Sequence, residues 1–71
     1  MNPKVKQDLL RYLFEKFEWV NLSKIERETR IEIGKLKNYL KDLQDEGLVE
    51  KKWSSEYYYR LTDKGIFEEL L

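Results

Sequence analysis

Apolar positions along the 71-residue chain change period four times, and each change marks an element. Val5, Leu9, Tyr12, Leu13 and Phe17 recur at helical spacing, with Leu10 and Phe14 widening the stripe. Asn2-Pro3 stands just ahead of them. Asparagine is a good N-cap, and proline at the first helical position loses no needed hydrogen bond. A stripe this broad predicts more than one packing partner: other helices on one side, and the last helix or a second copy of the chain on the other. Glu18–Leu22 is short and rich in strand formers, which predicts a brief first strand. Within it Trp19 suits a half-buried packing position; a stacking role is the alternative.

The middle of the chain returns to helical spacing. Ser23-Lys24-Ile25-Glu26 has the spacing of a capping box and predicts a short helix anchored by Ile25. Thr29 and Ile31 lead out of it, with Ile31 plugging the gap to the next helix. Leu36, Leu40 and Leu43, at i, i+4 and i+7, then line one face of a longer helix over 33–46, starting at Glu32 or Ile33. Gly47 closes it from the C′ position. Leu48–Trp53 predicts a strand with Val49 inward, Ser54-Ser55-Glu56 a polar turn, and Tyr57–Leu61 the return strand. Alternation puts Tyr57, Tyr59 and Leu61 on one face and Tyr58 and Arg60 on the other. Trp53 and Tyr57 then face each other beside the turn and stiffen it. Thr62 caps a final helix, Asp63–Leu71, with Asp63 at the positive end of its dipole. Ile66, Phe67, Leu70 and Leu71 leave that helix apolar on more than half its surface. It either packs wholly on the first helix or, as favoured here, joins the first helix in a homodimer surface.

Composition narrows the chemistry. The length predicts one domain, 1–71, with one small core. There is no cysteine and no histidine, so disulfides, the usual zinc ligands and the common nucleophile–base pairings are missing. With little room for an enclosed pocket, the reading is a non-enzyme that needs no cofactor and shows no small-molecule effector site. The chain has no alanine and is 39% charged, a Lys/Glu bias like that of heat-adapted proteins. The absence of a signal-like or transmembrane-length apolar run predicts a soluble, cytoplasmic protein.

Net charge is zero, but its distribution is not even. Between Lys24 and Lys41, six bases (Lys24, Arg27, Arg30, Lys35, Lys37, Lys41) outnumber three acids (Glu26, Glu28, Glu32), a balance of +3. Between Asp42 and Glu50 there are four acids and no base, −4, and between Lys51 and Arg60 the balance returns to +2. The basic stretches suit a polyanionic partner. A generally solvated surface is the plainer explanation.

The pattern Leu22-Ser23-x-Ile25, Thr29-x-Ile31, Leu36-x-x-Tyr39-Leu40-x-x-Leu43-x-x-x-Gly47-Leu48-Val49, continued by Tyr59-Arg60-Leu61-Thr62-Asp63-Lys64-Gly65, resembles the winged helix-turn-helix DNA-binding domains of small archaeal and bacterial transcription regulators. The resemblance implies an α+β fold: a three-helix core, a two- to three-stranded β-wing and a short C-terminal helix. It also implies a double-stranded DNA partner and a role in transcription regulation. Helix 33–46 would enter the major groove, and the wing, 49–61, would lie on the backbone. Carried onto this chain, the contact residues are Arg30, Gly34, Lys35, Lys37, Asn38 and Lys41 from the helical motif, and Lys52, Ser54, Ser55, Tyr58 and Arg60 from the wing. Asn38 is the best base reader, since its amide can pair bidentately with adenine; Lys35 reads guanine or holds a phosphate. Lys37 and Lys41 suit phosphates, which set affinity and register. Gly34 would let the sugar–phosphate backbone approach. Two positions depart from the family: Glu26 replaces a small residue, as the cap explains, and Arg30 replaces the turn glycine, which predicts a turn without the left-handed glycine and leaves the angle between the helices open. The alternative function is a winged-helix protein–protein interaction module without DNA binding.

Overall fold

A computed structural model describes residues 2–71. They form a small α+β domain in the order α1 (Pro3–Lys16), β1 (Val20–Asn21), α2 (Leu22–Thr29), α3 (Ile33–Asp45), β2 (Val49–Ser54), β3 (Glu56–Leu61) and α4 (Asp63–Leu70). The three strands make one antiparallel sheet in the order β1-β3-β2. Four helices and this sheet enclose a core of Leu9, Leu10, Leu13, Val20, Ile25, Leu36, Leu40, Leu43, Leu48, Val49, Tyr59 and Leu61.

The apolar periodicity translates into this core because each stripe meets another. Leu36, Leu40 and Leu43 are fully buried along one side of α3. Asn2 caps α1 as expected, its side chain accepting from the Lys4 amide at 2.8 Å. Phe17 does not extend the α1 stripe. It ends the helix in a left-handed conformation (φ 55°), its amide donating to the Leu13 carbonyl, and its ring is 72% exposed. Reversing the chain there takes the phenyl off the helical face that the spacing assigned to it.

The expected strand 18–22 contracts to Val20 and Asn21, which pair with Tyr59 and Tyr58. Leu22 instead opens α2, so Ser23 lies inside the helix and the capping box does not form. With the helix begun one residue early, Ser23 instead meets Glu56 of the hairpin. The Ser23 hydroxyl donates to its Oε1 (3.2 Å) and the Asn21 amide to its Oε2 (3.0 Å), and a carboxylate accepts more strongly than a neutral partner. On α2, Tyr12 and Lys16 of α1 both bond Glu28 Oε1, at 2.6 and 3.0 Å. Burial first, and then this hydrogen bond, pushes the Tyr12 phenol above its ordinary pKa.

The α2–α3 turn has no glycine, as the sequence indicates. Arg30 itself adopts the left-handed conformation (φ 60°) that glycine would take there, and its amide donates to the Glu26 carbonyl at 2.8 Å. A side chain in that region costs about 1–2 kcal/mol. Ile31, half-buried against the core, helps hold the turn in place. The end of α3 is as read. Gly47 (φ 78°) allows paired Gly47→Gln44 and Leu48→Leu43 backbone bonds that close the helix.

Leu48 then serves as a joint. Its carbonyl accepts from the Thr62 amide, while the Thr62 hydroxyl donates to the Gly47 carbonyl (2.6 Å) and accepts from the Gly65 amide (3.1 Å). Gly65 is buried against this joint, where a β-carbon would overlap the Leu48 carbonyl oxygen. So α4 is fastened where α3 passes into β2. It leaves Phe67, Leu70 and Leu71 exposed, and Arg11 of α1 bonds Glu69 across it at 3.3 Å. Among the described residues no helix is long and apolar enough to cross a membrane.

Candidate nucleic-acid interface

Alternation along the β2–β3 hairpin sorts its side chains onto two faces. Val49, Lys51 and Trp53 stand opposite Leu61, Tyr59 and Tyr57; Glu50, Lys52 and Ser54 stand opposite Arg60, Tyr58 and Glu56. The first set faces inward. Val49, Tyr59 and Leu61 join the core, while Lys51, Trp53 and Tyr57 project past its edge. The second set faces outward, and none of it is buried.

The inner face meets α3 in a groove lined by Lys37, Asn38, Lys41, Gln44, Asp45, Lys51, Tyr57 and Tyr59. Helical spacing sets this edge: Lys37, Lys41 and Gln44 repeat at i, i+4 and i+7, turned from the leucine stripe toward the hairpin. Tyr59 is buried in the floor, and burial raises its phenol pKa. Lys51 lies 4.7 Å from the Tyr57 ring centre, and Trp53 meets Tyr57 edge-on with centres 4.9 Å apart. The facing of Trp53 and Tyr57 is as the alternation predicts. Within the groove Lys41 pairs with Asp45 at 3.2 Å. Lys35, Lys37 and Lys51 form no ion pair among the described residues.

The expected contact residues therefore divide. Lys37, Asn38 and Lys41 come together in the groove; Lys35 is exposed one turn before Asn38. Arg30 is exposed in the turn ahead of α3. Gly34 is exposed, but its open side faces the protein's own carboxylate. Glu32 caps α3 by accepting from the Gly34 and Lys35 amides at 3.0 Å each, and a β-carbon on Gly34 would come within 3.2 Å of its oxygens. Those two bonds hold the Glu32 carboxyl below the ordinary carboxylate range.

Lys52, Ser54, Tyr58 and Arg60 stand on the outer face, across the sheet from the groove, with Ser55 making the reversal at the tip (φ 58°). Lys51 and Tyr57, which the sequence reading did not nominate, occupy the groove side instead. Parity in the strand register was the signal that could have placed them: residues odd-numbered with Val49 share its face. A hollow of about 200 Å³ beside Phe14, Phe17 and Ile66 is smaller than ordinary small-molecule pockets. No protein-family model matches the chain, and no curated protein is significantly similar to it.

Proposed function

We propose that the domain is a winged helix-turn-helix and binds double-stranded DNA as a transcription regulator, with α3 in the major groove and the β2–β3 hairpin along the backbone. The observation that carries this reading is the groove itself. Lys37, Lys41 and Asn38 share it with Lys51 across from them, so phosphate-holding cations flank an amide suited to adenine. Lys51 and Tyr57 take the backbone-facing role on the hairpin. The phosphates are not drawn to the α3 N-terminus, because Glu32 already occupies its first amides.

A mobility-shift titration of duplex DNA at two salt concentrations tests this. Affinity should fall with salt by about 0.9 log units per log unit of salt for each phosphate neutralised. Lys37→Glu combined with Lys51→Glu should abolish binding and leave the melting temperature within a few degrees, since both side chains are exposed. Duplex binding that survives this reversal refutes the groove assignment.

A second reading has its own support. Trp53 is 66% exposed and Tyr57 40%, and Asp45 lies in the groove beside the lysines. A mixed aromatic and charged surface suits a protein partner. Salt-insensitive capture of a protein, with no duplex binding at low salt, favours this reading over the first.

The exposed Phe67 and Leu70 of α4 also support a homodimer through α1 and α4. Sedimentation should show a dimer that Phe67→Glu converts to monomer; a wild-type monomer at all concentrations refutes it.

A further inference from the structure

The outer sheet face gathers two cations on one aromatic ring. The Lys52 ammonium lies 4.5 Å from the Trp19 ring centre, and the Arg60 guanidinium carbon 4.4 Å from it. Lys52 also stands 5.9 Å from the Tyr58 ring, directly across the β2–β3 ladder. Tyr58 and Arg60 belong to the central strand, and Trp19 immediately precedes β1, so the four residues span the width of the sheet. Lys52 and Arg60 are exposed and Tyr58 is half-buried, while the Glu50–Arg60 end of the face borders a hollow lined by Leu13 and Phe14 of α1 and Ile66 of α4.

Drawing like charges together costs energy, which the indole quadrupole offsets. Carboxylates only partly balance them. Glu50 pairs with one edge of Arg60 at 3.3 Å, and Glu56 is held at the β1–α2 junction by Asn21 and Ser23. Lys52 has no ion pair among the described residues. The face thus offers two cations and two aromatic rings on an open platform. Inorganic phosphate would use the cations and leave the rings idle. A duplex offers phosphates, but its bases are stacked with their faces out of reach. A single strand offers both at once.

We propose that this outer face binds single-stranded nucleic acid, with Lys52 and Arg60 on backbone phosphates and Trp19 and Tyr58 stacking against bases. Lys52 is exposed, and on its long unbranched stem the ammonium leaves the indole for a phosphate and opens the ring to a base. The proposal does not depend on duplex binding at the α3 groove, which lies across the sheet.

The test uses Trp53→Phe, which leaves Trp19 as the single tryptophan. Fluorescence is titrated with oligo-dT, oligo-U and a duplex, each about a dozen nucleotides long, within the usual range of single-strand site sizes. Saturable quenching by either single strand is expected, weakening with salt by about 0.7 log units per log unit of salt for each phosphate contacted. Lys52→Glu should weaken it about tenfold or more, while Lys37→Glu with Lys51→Glu leaves it unchanged. By anisotropy of a labelled oligonucleotide, Trp19→Ala should lose about tenfold and Trp19→Phe should keep most of the affinity. If Trp19→Ala does not fold, Lys52→Glu decides. The proposal is overturned if neither single strand quenches saturably, if quenching is lost with the groove lysines but survives Lys52→Glu, or if duplex displaces the single strand competitively.

Discussion

Lys51 and Lys52 are neighbours in sequence, yet they belong to different surfaces. Lys51 sits over Tyr57 on the side that meets α3, and Lys52 sits over Trp19 on the side that meets solvent. The two faces share a ladder and a similar stock of lysine and aromatic rings. They differ in backing. The inner face ends in a buried tyrosine floor and a helix wall, making a groove. The outer face is bordered by helices only at its Glu50–Arg60 end and is open toward Lys52 and Tyr58. Charge summed over Lys51–Arg60 hides this, because period-two alternation splits the sum between two faces.

The widest test of that comparison is whether both faces depend on one joint. Gly65→Ala places a β-carbon on the Leu48 carbonyl oxygen, 3.2 Å from its carbon and 3.3 Å from Leu61 Cβ. Backbone cannot rotate away as a side chain would. Overpacking typically costs about 1–3 kcal/mol, and a clash with backbone belongs at the upper end. The melting temperature, followed by circular dichroism, should drop by roughly 10–20 °C. Both surfaces should then lose binding together as temperature rises. An unchanged melting temperature would mean that α4 is not seated on Leu48 so closely. The charge reversals at Lys51 and Lys52 come next in size, because each leaves the fold intact and should weaken one face only. Loss of both activities from either single reversal would collapse the two surfaces into one.

How much of this could be read in the chain depends on the range of the interaction. Leu36, Leu40 and Leu43 announce α3 and its buried side, since that pattern is local and repeats. Gly47 and Thr62 announce their caps for the same reason. Some misses involve partners distant in sequence, others the backbone conformation of a single residue at a helix end. Ser23 and Asn21 turn to Glu56 rather than capping α2, Phe17 leaves its stripe at a reversal, and Arg30 accepts the left-handed conformation that local rules assign to glycine. The groove was half legible. Lys37, Asn38 and Lys41 follow from helix spacing, but Lys51 and Tyr57 required knowing which sheet face turns toward α3. The gathering of Lys52 and Arg60 on Trp19 joins three strand segments and has no local signature.

The smallest expected effect separates the faces by pH. The Glu32 carboxylate caps α3, and the amides of Gly34 and then Lys35 lower its pKa. Glu28 is likewise lowered, by Tyr12 and then Lys16. A carboxylate with a depressed folded pKa contributes stability that is fully present above its unfolded pKa, about 4.3, and is lost as pH falls through the folded value. The wild-type melting temperature should therefore decline below about pH 4.5. Glu32→Ala should already melt a few degrees lower at neutral pH, and the gap to wild type should narrow in acid as the native cap becomes protonated. A gap that stays constant with pH would assign the cap to something other than the charge. Glu32→Ala, which removes a negative charge and frees two amides at the start of the helix that walls the groove, should strengthen duplex binding by a small factor. It should leave the platform around Trp19 untouched, since no outer-face residue contacts that turn through a hydrogen bond or ion pair among the described residues.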